Sequence, residues 1–124
     1  MKLLPDTDPL VRDCRAVVER VLRQHGRADL LDNLRTVPVY IMPARKRLWG
    51  CYRTHSQADG LGRIDLCCPA SEQRSTLLHE YAHALVQWTE QLEEDDHGYR
   101  FQWWEKELLA VTVDETYGVA EVCK

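Results

Sequence analysis

The sequence predicts an α+β domain, and three observations carry this prediction. A helical repeat of apolar residues follows a helix start signal near residue 8. Three short segments rich in β-branched and aromatic residues come next in the chain. Two further segments with helical spacing follow them. This order predicts an N-terminal helix, a small three-stranded, mostly antiparallel sheet, a second helix and a third helix directly after it.

Length and composition are typical of one globular domain. The chain has 124 residues, of which 44% are hydrophobic and 29% are charged, so we expect a single domain over residues 1–124. Its 16 basic and 20 acidic residues give a net charge of −4, which does not favour nucleic-acid binding. The five cysteines include no C-x-x-C pair, which argues against a disulfide scaffold or a cysteine-type zinc ribbon.

We expect neither a targeting signal nor a membrane span from this sequence. The apolar run at the N-terminus, Leu3 and Leu4, is far shorter than the core of a signal peptide. No stretch approaches the roughly 18 consecutive apolar residues of a membrane helix. Free thiols are typical of a reducing compartment, so we expect a cytoplasmic protein.

The first helix is predicted over about residues 8–25. Thr7 or Asp8 can cap its N-terminus, Pro9 suits its first position, and Gly26 ends it. Its apolar residues recur at helical spacing and predict a face turned toward the core: Val11, Cys14, Val18, Val21 and Leu22.

Three strands are predicted next, over Thr36–Met42, Leu48–Thr54 and Leu61–Cys67. The turn-rich residues 55–60 predict a hairpin between the last two strands. The basic residues 45–47 in the first connection are expected to form a solvated turn.

Two helices complete the prediction. They extend over about Glu72–Leu92 and Tyr99–Val111, and the acidic residues 93–96 lie between them. The pattern after Val113 is ambiguous and is compatible with one more strand or turn.

Residues 79–83, on the first of these two helices, read H-E-x-x-H. At about 100° per residue, His79 and His83 point within about 40° of each other, so both imidazoles can bind one metal ion. Glu80 lies about 100° round from His79, where it can take a proton from metal-bound water. The apolar residues of this helix occupy a separate arc, which places the histidines at the edge of a buried helix.

A hydrolytic zinc site needs a third protein ligand and one open position for water. His97 is favoured, because it lies just before the next helix and imidazole is the commoner zinc ligand in a mixed site. Glu105 or Glu107 would give the gluzincin-type alternative. The remaining carboxylate candidates are Glu90, Glu93, Glu94, Asp95 and Asp96. The long metzincin signature is excluded, because Val86 and Thr89 stand where it requires Gly and His.

These motifs resemble the SprT-like metalloprotease family. The family pattern is H-E-x-x-H, a variable insert, and then H-G-x-x-F-x-x-W. Its second part is matched by His97, Gly98, Phe101 and Trp104. Residues 47–53 and 64–66 are similar to the strand pair that precedes the family's zinc helix. We expect Phe101 and Trp104 to be core residues that position His97.

The resemblance implies a zincin-like, zinc-dependent endopeptidase related to Spartan and bacterial SprT proteins. The family's three zinc ligands and its general base correspond to His79, His83, His97 and Glu80. A protein or peptide substrate is expected, and the predicted strand Leu61–Cys67 could present an edge that pairs with an extended peptide. The oxyanion-stabilising residue stays open among Tyr52, Arg53, Tyr99 and Arg100.

The sequence does not decide whether the substrate is linked to DNA, or whether it is a peptide at all. Spartan-type relatives digest proteins crosslinked to DNA, but the acidic charge of this chain gives DNA association no support. Only Cys123 lies near the C-terminus, where longer relatives carry a zinc ribbon. The alternatives are a non-catalytic zinc-binding interaction module and a zinc hydrolase that acts on a non-peptide substrate.

Overall fold

The computed structural model describes residues 1–45, 48–53, 62–90 and 97–122. This part of the chain forms an α+β fold, as predicted, with four α-helices and four strands. In chain order they are β1 (Lys2–Leu4), α1 (Pro9–Gln24), α2 (Leu31–Thr36), β2 (Val39–Ile41), β3 (Gly50–Arg53), β4 (Arg63–Leu66), α3 (Gln73–Glu90) and α4 (Tyr99–Val122). Short 3-10 turns at Ala28–Leu30 and Ala70–Glu72 lead into α2 and α3.

The strands form one mixed sheet in the order β1-β2-β4-β3. Strand β1 pairs with β2 and β3 pairs with β4 in antiparallel fashion, whereas β2 and β4 are parallel. The prediction of three strands is therefore wrong in strand number, whereas two of the three pairings among the described strands are antiparallel, as a mostly antiparallel sheet requires. The extra strand is only three residues long, and it is held by pairing with β2 and by the burial of Leu4.

The segment between α1 and β2 also differs from the prediction. Thr36 ends helix α2 and does not begin a strand, so the predicted strand Thr36–Met42 is reduced to β2. Helix α2 forms because Leu31 and Leu34 pack into the core. The predicted hairpin is present as the antiparallel pair of β3 and β4, while its loop, like residues 46–47 and 91–96, lies outside the described residues.

Helix α1 begins and ends where the sequence predicts. The Asp8 carboxylate accepts a hydrogen bond from the Leu10 backbone N–H at 2.9 Å, and Pro9 occupies the first helical position. Gly26, just beyond the helix, has a φ of 68°, a conformation that favours glycine. The chain after Val113 continues α4 as far as Val122, and does not form the strand or turn considered for it.

Helix α3 lies at the centre of the fold. It contacts α1, α4 and the strands β3 and β4. Its apolar arc is buried as predicted, with Leu77, Leu78, Tyr81, Ala82 and Leu85 each at most 1% exposed. Burial of this arc fixes the rotation of the helix and leaves its polar arc at the edge of the core. Within the described residues, no helix combines the length and apolarity needed to cross a membrane.

Candidate metal centre

Helix α3 carries His79 and His83 one turn apart on its polar arc. Both side chains are half-buried, and their ring centroids lie 5.1 Å apart. The neighbouring positions Leu78 and Ala82 are fully packed in the core, so the helix cannot rotate the histidines away without exposing apolar surface.

His97 comes to these histidines from the turn that precedes α4. The Gln102 side chain donates a hydrogen bond to the His97 carbonyl at 2.8 Å, and the Gln102 N–H donates to the Gly98 carbonyl at 3.0 Å. The His97 ring lies 5.1 Å from that of His79 and 5.2 Å from that of His83. The structure therefore brings together the three histidines that the sequence singles out.

The buried ring of Phe101 contacts all three imidazoles. It stacks on His83 at 4.2 Å with an interplanar angle of 26°. Its centroid lies 4.8 Å from that of His79 and 5.0 Å from that of His97. Phe101 and Trp104 are buried, as expected for core residues. Phe101 thus supplies one apolar surface shared by the three rings.

The geometry of the three histidines fits a metal ion. One ring nitrogen from each lies within 4.8 Å of those from the other two. The Nε2 atoms of His79 and His97 are 3.2 Å apart. Two nitrogens bound to one tetrahedral zinc ion at about 2.0–2.1 Å would be separated by roughly 3.3 Å. The cluster could therefore hold a transition-metal ion of the kind that imidazole binds.

Glu80 is buried, at 4% exposed, on the side of α3 that faces the sheet. Its carboxylate lies against the backbone of Gly50 in β3. The H-E-x-x-H motif predicts a carboxylate beside the histidines, but it does not indicate which part of the chain packs against that carboxylate.

The two carboxylates considered as alternatives to His97 have other partners. Glu105 Oε2 lies 2.6 Å from His79 Nδ1, and Glu107 Oε2 lies 3.2 Å from His25 Nε2. Residues 93–96 and the Glu90 side chain lie outside the described part of the chain. The structure thus places Glu105 beside the cluster, in contact with one histidine, and Glu107 away from it.

The four candidates for oxyanion stabilisation lie in different places. The Tyr52 hydroxyl donates a hydrogen bond to Gln87 Oε1 at 2.6 Å, one turn beyond His83 on α3. Burial raises the pKa of Tyr52 to about 12. Arg53 pairs with Asp65 at 3.0 Å, whereas Tyr99 and Arg100 are exposed. The Tyr52 side chain therefore contacts the helix that carries the histidines.

The edge of the sheet belongs to a different strand from the one predicted. Strand β4 lies between β2 and β3, so it presents no edge. The described strands place β3 at the end of the sheet, next to α3. The sequence pattern gives the β3–β4 hairpin but not the strand on the far side of β4, which depends on the long-range pairing with β2.

The part of the sequence that contains this site matches a known protein family. Residues 62–120 match the sequence profile of the SprT-like family. The matched segment begins just before β4 and includes Glu80 and the three clustered histidines. The prediction of a SprT-like domain is thus confirmed for this segment. Neither the curated proteins nor the solved structures gave a significant match.

Proposed function

We propose that this chain is a zinc-dependent endopeptidase of the SprT-like type. The observation that carries the proposal is the convergence of His79, His83 and His97, with Glu80 adjacent on the same helix. This arrangement lies within the segment that matches the SprT-like family, whose members are associated with metalloprotease activity.

The three histidines would hold the zinc ion through one ring nitrogen each. A set of three protein ligands leaves one position for water or substrate, as in catalytic zinc sites, whereas structural sites are closed by four protein ligands. A bound zinc ion would supply Lewis acidity, which polarises a peptide carbonyl and makes a water molecule more acidic.

Glu80 is the proposed general base. Its carboxylate would accept the proton of the attacking water at an Oε atom and then donate it to the nitrogen of the leaving amine. The residue is held for this task from two sides, because α3 fixes its backbone and Gly50 of β3 packs against its carboxylate. A purely structural zinc site has no need of a carboxylate in this place.

Strand β3 is the proposed docking edge for the substrate. An extended peptide that adds to an exposed strand is recognised through its backbone and requires little of its side chains. Because Gly50 contacts Glu80, a peptide paired along β3 would pass close to the general base. The proposed substrates are therefore unfolded or extended protein segments, and proteins associated with DNA are one such class.

The substitution Glu80→Gln tests the proposed function. The amide has nearly the same shape but cannot accept a proton at neutral pH, so cleavage of casein should fall by about 10²- to 10⁴-fold. Zinc content and melting temperature should stay at the wild-type values. Glu107→Gln, the same chemical change at a half-buried position of α4 outside the three-histidine cluster, serves as the matched control and should leave cleavage intact.

The assay is performed with and without DNA. The family resemblance suggests DNA association, whereas the net charge of −4 gives it no support. Unchanged cleavage by the Glu80→Gln protein would mean that Glu80 is not the base. A wild-type protein that binds zinc but cleaves no casein under either condition would favour a zinc-binding interaction module or a hydrolase of non-peptide substrates.

A further inference from the structure

Nδ1 of His79 is in contact with a carboxylate from α4. Phe101 and Glu105 are four residues apart on this helix, so their side chains lie on the same face. Phe101 packs against the imidazole rings, and Glu105 Oε2 reaches His79 Nδ1 at 2.6 Å. The two atoms are within hydrogen-bond distance, and a carboxylate oxygen is an acceptor for a ring N–H.

The contact determines which nitrogen of His79 is available as a ligand. A carboxylate accepts hydrogen bonds, so when Nδ1 donates to Glu105 a neutral His79 ring has its lone pair on Nε2. Nε2 is the atom that faces Nε2 of His97 at 3.2 Å. The hydrogen bond from His79 to Glu105 therefore favours the tautomer and the ring orientation that direct a ligand atom into the cluster.

The same geometry argues against Glu105 as a metal ligand. Its oxygen contacts the nitrogen on the outer side of the His79 ring, and the ring itself separates it from the atoms that converge on His97. Glu105 remains 30% exposed, beside the three-histidine cluster and not within it.

We propose that Glu105 is a positioning residue of the metal centre, which acts through His79 and raises the affinity of the site for zinc. This inference rests on the metal site of the proposed function, but not on its peptidase activity. A partner that orients a ligating histidine typically contributes about 10- to 100-fold to metal affinity.

The test compares Glu105→Ala, Glu105→Gln and Glu107→Ala. Glu107 is a matched control, because it lies on the same helix, is 34% exposed, and also contacts a histidine, His25 at 3.2 Å. Zinc affinity is measured by competition with a chelator, and melting temperatures are measured without metal. We expect Glu105→Ala to weaken zinc binding by about 10- to 100-fold, and Glu107→Ala to leave it unchanged.

Glu105→Gln distinguishes positioning from general loss of structure. Its amide oxygen can accept the same hydrogen bond from Nδ1, so most of the affinity should return. The absorption spectrum of Co(II)-loaded protein gives a second measurement. The Glu105→Ala protein should retain the ligand-field bands of the wild type, because no ligand has been removed.

Three outcomes would overturn the inference. Equal zinc affinities for Glu105→Ala and Glu107→Ala would show that the contact does not support the metal. Loss of the cobalt bands in Glu105→Ala, to the extent seen in His97→Ala, would make Glu105 a ligand. A Glu105→Gln protein as weak as Glu105→Ala would rule out the hydrogen bond as the cause. A wild-type protein that binds no metal would instead overturn the proposed function itself.

Discussion

Gly50 of β3 lies against the Glu80 side chain, which occupies part of the space that a side chain at position 50 would need. A Cβ atom at Gly50 would lie 2.9 Å from Glu80 Oε2 and 2.6 Å from Thr76 Cγ2. Real Cβ atoms essentially never come this close to other heavy atoms. Where β3 packs on α3, a side chain at position 50 would therefore displace Thr76 and the Glu80 carboxylate. Gly50 thus brings the end strand of the sheet next to the proposed general base, Glu80.

Gly50→Ala should lower peptidase activity without removing the metal. The added methyl group must displace Thr76 and the Glu80 carboxylate, and a misplacement of about 1 Å can cost roughly 10²-fold in rate. Measurements of kcat/KM and of zinc content separate the two effects. Cys51→Ala, on the adjacent position of β3 whose side chain faces the other side of the sheet, is the control. Wild-type activity in Gly50→Ala would show that the contact does not constrain Glu80.

Protein purified without added metal should contain close to one zinc ion per chain. His97→Ala should abolish this binding or weaken it by more than the 10- to 100-fold typical of a lost supporting partner, because a ligand is removed. His25→Ala is the matched control, since His25 contacts Glu107 and lies outside the three-histidine cluster. Elemental analysis gives the metal content. A folded wild-type protein that takes up no zinc on titration would refute the site.

Local signals in the sequence account for much of the fold around this site. The cap and first turn of α1 depend on Asp8 and Pro9, which act within a few residues of themselves. The rotation of α3 follows from its apolar arc, which the spacing of its residues already defines. The juxtaposition of His79 with His83 follows from helix geometry alone. These features need no knowledge of distant partners.

Features that depend on long-range pairing could not be predicted in the same way. Strand β1 exists because it pairs with β2, and β4 lies inside the sheet because β2 adds to it in parallel. No residue in Lys2–Leu4 indicates that this segment pairs with β2. The contact of Glu105 with His79 spans 26 residues. The sequence offers Glu105 as a carboxylate of the following helix, but the ring nitrogen that it reaches is set by the packing of α4 on α3.

The stability of the fold should decrease above pH 10, in part because of Tyr81. Its side chain is fully buried, and burial raises its pKa from 10.0 to about 12. The folded state then holds this proton more tightly than the unfolded state does. The resulting stabilisation is complete below pH 10 and is lost as the pH rises toward 12, by about 2 kcal/mol at pH 12.

Denaturant unfolding measured between pH 9 and pH 12 checks this expectation. The free energy of unfolding should decline less steeply in Tyr81→Phe than in the wild type. Tyr99→Phe removes a phenol from a residue that is 85% exposed, and it should leave the decline unchanged. Parallel curves for the wild type and Tyr81→Phe would show that Tyr81 is not responsible.

Strand β3 should recognise a substrate through its backbone, in a pattern that follows from the ladder. The Cys67 N–H donates to the Trp49 carbonyl at 2.8 Å, so Trp49 directs its backbone groups toward β4. Successive residues of an antiparallel strand direct these groups to opposite sides, which turns those of Gly50 toward the end of the sheet. A peptide that pairs there has alternate residues facing β3.

A series of peptide substrates with one backbone N-methyl group, moved along the chain, tests this arrangement. N-methylation removes the N–H donor, and one lost hydrogen bond of about 0.5–1.5 kcal/mol corresponds to roughly a 2- to 10-fold decrease in kcat/KM. The decrease should recur at positions two residues apart and be smaller at the position between them. Single alanine replacements of the substrate side chains should have smaller effects. Equal losses at every position, or none, would contradict pairing along β3, because only an added strand presents alternate N–H groups to the same edge.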